Sequence, residues 1–65
     1  MGTYKMVELV GTSKVSLEEA IQVAVVKASE TSAVRWFQVE EIRGSADAGK
    51  VTEWQVTVKM GVQGS

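Results

Sequence analysis

Two side chains stand out for what they can bind: Trp36, in the run Trp36-Phe37-Gln38-Val39, and Gln55, in the run Gln55-Val56-Thr57-Val58-Lys59. An indole offers a large rigid face on which a planar heterocycle can stack. A primary amide brings N–H donors and a carbonyl acceptor to a polar ring edge. Taken alone, a strand Trp is more often core or interface than a platform, and a strand Gln is more often a solvated surface group. Bond-making chemistry has little to draw on. The chain has no His and no Cys, which removes the best transition-metal ligands, and no serine has an evident activating partner. Glu18-Glu19 and Glu40-Glu41 are adjacent acids. Neighbours on a strand point to opposite faces and carboxylates at a helix start favour the dipole, so both pairs read as structural or solvated. Gly11-Thr12-Ser13 lacks the further glycines and the lysine of a phosphate loop and reads as a tight turn. The residues point to binding, and the chain is not expected to be an enzyme.

The elements that must position Trp36 and Gln55 follow from patterning. Tyr4 to Val10 mixes aromatic and β-branched residues with Lys5 and Glu8, a half-buried strand with a break at Gly11. Ser16-Leu17-Glu18-Glu19 has capping-box spacing, so a helix starts there. Leu17, Ile21, Ala24, Val25 and Ala28 form its apolar stripe. Val23 and Val26 widen the apolar surface beyond that stripe, which suggests a neighbour on a second side. Val34 to Arg43 and Val51 to Met60 read as two antiparallel strands joined by a hairpin loop over residues 44–49. The expected fold is α+β: a β-α-β-β unit, a three-stranded antiparallel sheet with one helix on one face, residues 1–65 being a single domain.

With a loop of 44–49, Arg43 pairs with Lys50, and opposed residues point to the same face. Arg35, Phe37 and Val39 then share the helix-covered face with Trp54, Val56 and Val58. Trp36, Gln38 and Glu40 share the other with Glu53, Gln55 and Thr57. Glu41 falls on the core face, near the sheet end. A loop one residue shorter or longer inverts the assignment and puts Trp36 under the helix. On the outward reading, Trp36 is an indole the core cannot absorb. Burying it removes roughly 200 Å² from water, worth up to about 5 kcal/mol at ~25 cal/mol per Å², so another subunit, a flat ligand or both should cover it.

Composition bears on the same point. A chain of 65 residues buries only about 60% of its unfolded surface, and small domains add disulfides, metals or further copies of themselves. Without Cys or His, self-association remains. A net charge of −1 gives no basic footprint for nucleic acid. The longest apolar run, Val23 to Val26, is far below the ~20 residues of a membrane span. The N-terminus has no basic region followed by an apolar stretch. The expectation is a soluble, cytoplasmic homo-oligomer.

Three blocks, in order and spacing, resemble the dodecin family: Glu8-Leu9-Val10-Gly11-Thr12-Ser13, then Trp36-Phe37-Gln38-Val39 with Ile42-Arg43-Gly44, then Gln55-Val56-Thr57-Val58-Lys59. The resemblance spans nearly the whole chain. It implies a β-α-β-β subunit in a hollow dodecamer that stores flavin, FMN or riboflavin, and suppresses its photochemistry. Trp36 would stack on the isoalloxazine ring and Gln55 would hydrogen-bond its polar edge, with paired flavins held between tryptophans of two subunits. Many bacterial members carry a histidine after the Arg-Gly of this block, where this chain has Ser45, so Arg43 and Ser45 enter the expected cofactor-binding set while the preference for FMN over riboflavin stays open. Arg43, Lys50 and Lys59 are the cations available to a phosphate. Trp54 stands where tyrosine or phenylalanine is common. Some bacterial relatives also hold coenzyme A, which leaves it as a second candidate ligand. The competing reading is a structural or protein-interaction module that docks a partner on Trp36.

Overall fold

Ser16 begins the helix as its composition dictates. Its hydroxyl accepts from the Glu19 N–H at 3.0 Å, and Glu18 and Glu19 occupy the first turn with Lys27 in the last, both favourable to the helix dipole. The reciprocal half of the capping box is replaced by Ser13. Its hydroxyl donates to Glu19 Oε2 at 3.1 Å and accepts from the Val15 and Ser16 N–H groups at 2.9 and 3.2 Å. One buried hydroxyl thereby ties the end of the first strand to the start of the helix.

A computed structural model describes residues 2–64. Strand β1 is Tyr4–Ser13, helix α1 Leu17–Ser29, strand β2 Val34–Asp47 and strand β3 Lys50–Gln63. The sheet is antiparallel with order β1-β3-β2, so the expected β-α-β-β topology is the observed one. The helix packs on one face. Its buried line is Ala20, Ala24 and Ala28, set against Val56, Val58 and Met60 of the central strand, with Leu9, Ile21 and Val25 packed alongside. Small residues at spacing four let the helix axis lie close to the sheet.

The first strand does not break at Gly11. It runs on to Ser13, with Gly11 opposite Val56, because the glycine is where helix and sheet touch. A Cβ there would stand 1.9 Å from the Ala20 carbonyl oxygen and 3.1 Å from Ala24 Cβ.

The hairpin differs more. Residues 44–49 are not a loop: both strands continue to a two-residue turn at Ala48-Gly49, with Asp47 opposite Lys50. Both turn residues have positive φ, 52° and 79°, which gives the tight turn whose twist matches that of its strands. Alanine is an unusual occupant of that conformation, which is why the turn was not legible. Arg43 consequently faces Gln55 and not Lys50.

Three irregularities complete the register, two of them between Val39 and the turn. Val39 faces Val58 but Glu41 faces Thr57, which leaves Glu40 as an extra residue in β2; Ser45 faces Glu53 but Ala46 faces Val51, which leaves Thr52 as an extra in β3. Each bulge flips side-chain parity. The stretch between them is therefore inverted relative to simple alternation, and Glu41, expected on the core face, shares the helix-free side with Thr57. Arg35, also expected on the core face, is the extra residue at a third irregularity between Val34 and Trp36 and is exposed. Phe37 does lie opposite buried Met60, yet it remains 52% exposed because the helix covers β1 and β3 and barely reaches β2.

Strand β1 ends at Ser13 opposite Trp54. The hairpin beyond that point is a two-stranded arm, and the Cα trace measures 52 × 19 × 12 Å. Apolar surface runs from the sheet end onto the arm: Ile42 and Val51 are exposed and line, with Ala46 and Trp54, a groove of about 230 Å³. Isolated two-stranded ribbons are marginal in water, and beyond Ser13 no third strand pairs with this one among the described residues.

Candidate functional site

Trp36 lies on the face away from the helix. Its Cα partner is Gly61, whose neighbours Met60 and Val62 are buried in the core, so alternation sends the Gly61 position outward. The indole fills that space. A Cβ at Gly61 would stand 2.2 Å from Trp36 Cε2 and 2.4 Å from Nε1. Tyr4, on the far strand, meets the same ring edge-on, with centroids 6.5 Å apart and an interplanar angle of 65°. Trp36 nonetheless remains 41% exposed, and the exposed Tyr4, Met6 and Val10 of β1 continue an apolar band along the same side. That side is thus less polar than the β3 alternation alone suggests.

Gln55 occupies the other half of this face. It is half-buried and engaged at both ends of its amide: Arg43 Nε donates to Oε1 at 3.1 Å and Nε2 donates to Glu53 Oε1 at 2.8 Å. Ser45 lies opposite Glu53, so Arg43, Ser45, Glu53 and Gln55 form one polar cluster at the root of the arm. The Glu40 bulge is what puts even-numbered Trp36 and odd-numbered Arg43 and Ser45 on one side. Lys59 Nζ reaches Glu40 Oε1 at 3.1 Å and pins the bulge from the central strand. The Glu40 hydrogen bond and charge, with Glu8 beside them, hold the Lys59 ammonium above its ordinary pKa.

Trp36 and Gln55 share a face but are not neighbours. Gly61, beneath the indole, is six positions along β3 from Gln55, roughly 20 Å at ~3.3 Å per residue. Within one subunit the two are therefore too far apart to meet on one small ring. A loop over residues 44–49 would set Trp36 opposite Thr57, near Gln55; the shorter turn slides β2 along β3 and sets it opposite Gly61. Of the cations considered for a phosphate, Arg43 is engaged with Gln55 and stands 3.9 Å from Glu41, Lys59 is paired with Glu40, and Lys50 is at the arm tip.

The dodecin family model matches residues 3–63. The chain belongs to the dodecin family. It is 49% identical over 59 residues to the dodecin of Thermus thermophilus, covering 89% of this chain and 86% of that one. A solved tryptophan-to-phenylalanine mutant of the T. thermophilus dodecin superposes with a TM-score of 0.91 at 42% identity, covering 100% of this chain and 98% of that one. The dodecin of Streptomyces coelicolor superposes with a TM-score of 0.89 at 38% identity, covering 98% and 93%. Among the described residues of this dodecin, no group of His, Cys, Asp or Glu could hold a metal ion, and no helix is long and apolar enough to cross a membrane. Glu53 orients Gln55 and Glu40 holds the bulge; both parts depend on register, so the sequence alone reads these acids only as groups of the helix-free face, structural or solvated.

Proposed function

We propose that this dodecin binds flavin, FMN or riboflavin, without turning it over, by stacking the isoalloxazine ring on Trp36 at an interface between subunits. The observation that carries the reading is the 41% exposed indole on the helix-free face, in a chain of this family. A buried Trp would serve the core. This one is braced from behind by Gly61 and from the side by Tyr4, so its ring is held rigid with its outer surface uncovered. Gln55 suits the polar edge of such a ring, since after its bonds to Arg43 and Glu53 the amide still has one N–H and one lone pair to offer. Arg43 and Ser45 belong to the same polar end of the site.

Assembly is part of the reading. The distance between Trp36 and Gln55 calls for two copies, and the apolar side of the arm and the Tyr4-Met6-Val10 band call for covering surfaces, which a closed homo-oligomer, in this family a dodecamer, supplies. Bound flavin brings a photoexcitable ring. An adjacent indole can donate an electron to that ring when it is excited, so stacking quenches the excited state, and storage with protection is the purpose. We place the protein in the cytoplasm on the same reading, and coenzyme A remains a second candidate ligand.

Titrating FMN and riboflavin with the purified protein tests this. Fluorescence quenching that saturates, with native mass showing an oligomer, is the expected result, and Trp36→Ala should abolish it while the oligomer persists. Absence of quenching by either flavin overturns the reading in favour of a protein-docking role for the Trp36 face. Equal binding by Trp36→Ala leaves a flavin protein with a different site.

A further inference from the structure

The two bonds on Gln55 differ in kind. A guanidinium can only donate and an ionised carboxylate can only accept. Arg43 at one end therefore requires Oε1 there, and Glu53 at the other requires Nε2 there; the reversed amide would set donor against donor and acceptor against acceptor. A primary amide can turn either end toward partners that both donate and accept, and here two one-way partners at 3.1 and 2.8 Å leave a single choice. Backbone pairing supplies both partners. Arg43 is held directly across from Gln55 by the register between the two bulges, while Glu53 sits two positions along the same strand and so points to the same side.

From this we propose that Glu53 is a positioning residue that determines ligand specificity: it fixes the Gln55 amide in one orientation, so that the free N–H and free lone pair face the ligand in one order. The inference rests on the reading that Gln55 meets the flavin ring. The class of edge selected is a cyclic imide, an N–H flanked by carbonyls, in which the lone pair of Gln55 takes the N–H and its remaining N–H reaches a carbonyl. An amide released from Glu53 is held by Arg43 alone, and whatever part of its population turned over would meet the imide N–H with another donor.

The test uses the intact oligomer and two ring compounds without a side chain, lumiflavin and its N3-methyl derivative, so that phosphate contacts play no part. Fluorescence quenching gives the affinity of each for the parent protein, Glu53→Gln and Glu53→Ala. Glu53→Gln keeps size and shape, so it folds and assembles even if Glu53→Ala does not. The parent should prefer lumiflavin by about tenfold, the worth of one hydrogen bond. Both variants should bind the N3-methyl ring as the parent does and lower the ratio by up to about twofold, since an amide free to choose still spends half its time in the productive orientation. Adding Glu53→Gln to Gln55→Ala should cost nothing more than Gln55→Ala alone, because Glu53 acts only through Gln55. The inference is overturned if the Glu53 variants keep the parent's ratio, if they weaken both rings alike, or if the double variant's losses add. A parent that quenches both rings equally overturns this inference and leaves flavin binding standing. A parent that quenches neither overturns both.

Discussion

The indole of Trp36 rests directly on Gly61, at a separation that only glycine allows: a Cβ at position 61 would stand within 2.5 Å of three atoms of the ring. The platform is therefore built by two strands, one supplying the ring and the other withholding a side chain. Gly61→Ala should push the indole off the sheet. We expect flavin affinity to fall by more than tenfold with the oligomer retained, as read by flavin quenching and by a shift in tryptophan emission toward that of a solvated indole. Unchanged quenching in Gly61→Ala would mean that the seat of the ring does not matter.

Gly11 makes the corresponding contact on the helix side. Gly11→Ala drives a methyl group into the Ala20 carbonyl and Ala24, backbone and core groups that cannot step aside. The expected destabilisation is about 1–3 kcal/mol from overpacking. A thermal or denaturant melt of the assembled protein, made at fixed protein concentration, measures it.

Ala48 sits at φ 52° in the hairpin turn, where a Cβ costs about 1–2 kcal/mol. Ala48→Gly removes that strain at the expense of some chain entropy, and Ala48→Asn keeps a side chain suited to the region. Each should raise stability by about 0.5–1 kcal/mol, in a melt under the same conditions. Flavin affinity should not move, because the turn is at the far end of the arm.

The Glu40–Lys59 pair gives a pH signature. Lys59 has its folded pKa raised above the ordinary 10.5, first by the Glu40 hydrogen bond, then by the Glu40 and Glu8 charges. A raised pKa means that the folded state holds the proton more tightly. The pair's contribution is complete below pH 10.5 and is lost as the pH rises through the higher folded value. Lys59 is solvent-exposed, so the effect on stability is small. Melts of the parent and of Lys59→Met should differ by a constant amount from neutral pH to about pH 10 and converge above it. Because Lys59 also pins the bulge, Lys59→Met should weaken flavin binding more than it lowers the melting point.

Much of the architecture was legible because it rests on local chemistry. The capping serine, the helical stripe and the β-branched runs each declare an element within a few residues, and their order permits little but an antiparallel sheet with one helix. The outward face of Trp36 was also legible, though for a reason the sequence does not show. The bulges at Glu40 and Thr52 each invert parity, and along the path from the turn to Trp36 they cancel. Between them, at Glu41, Arg43 and Ser45, they do not, and simple alternation fails there.

By itself, then, the sequence determined the elements, their order, and the shortage of core that calls for further copies. Those follow from composition and from periodicities of a few residues. Only the tertiary structure decided the register: the two-residue turn, the bulges, the contact of Trp36 with Gly61, and the clasp of Gln55 between Arg43 and Glu53. Register is a relation between strands distant in sequence, and one alanine with positive φ or one extra residue is enough to change it.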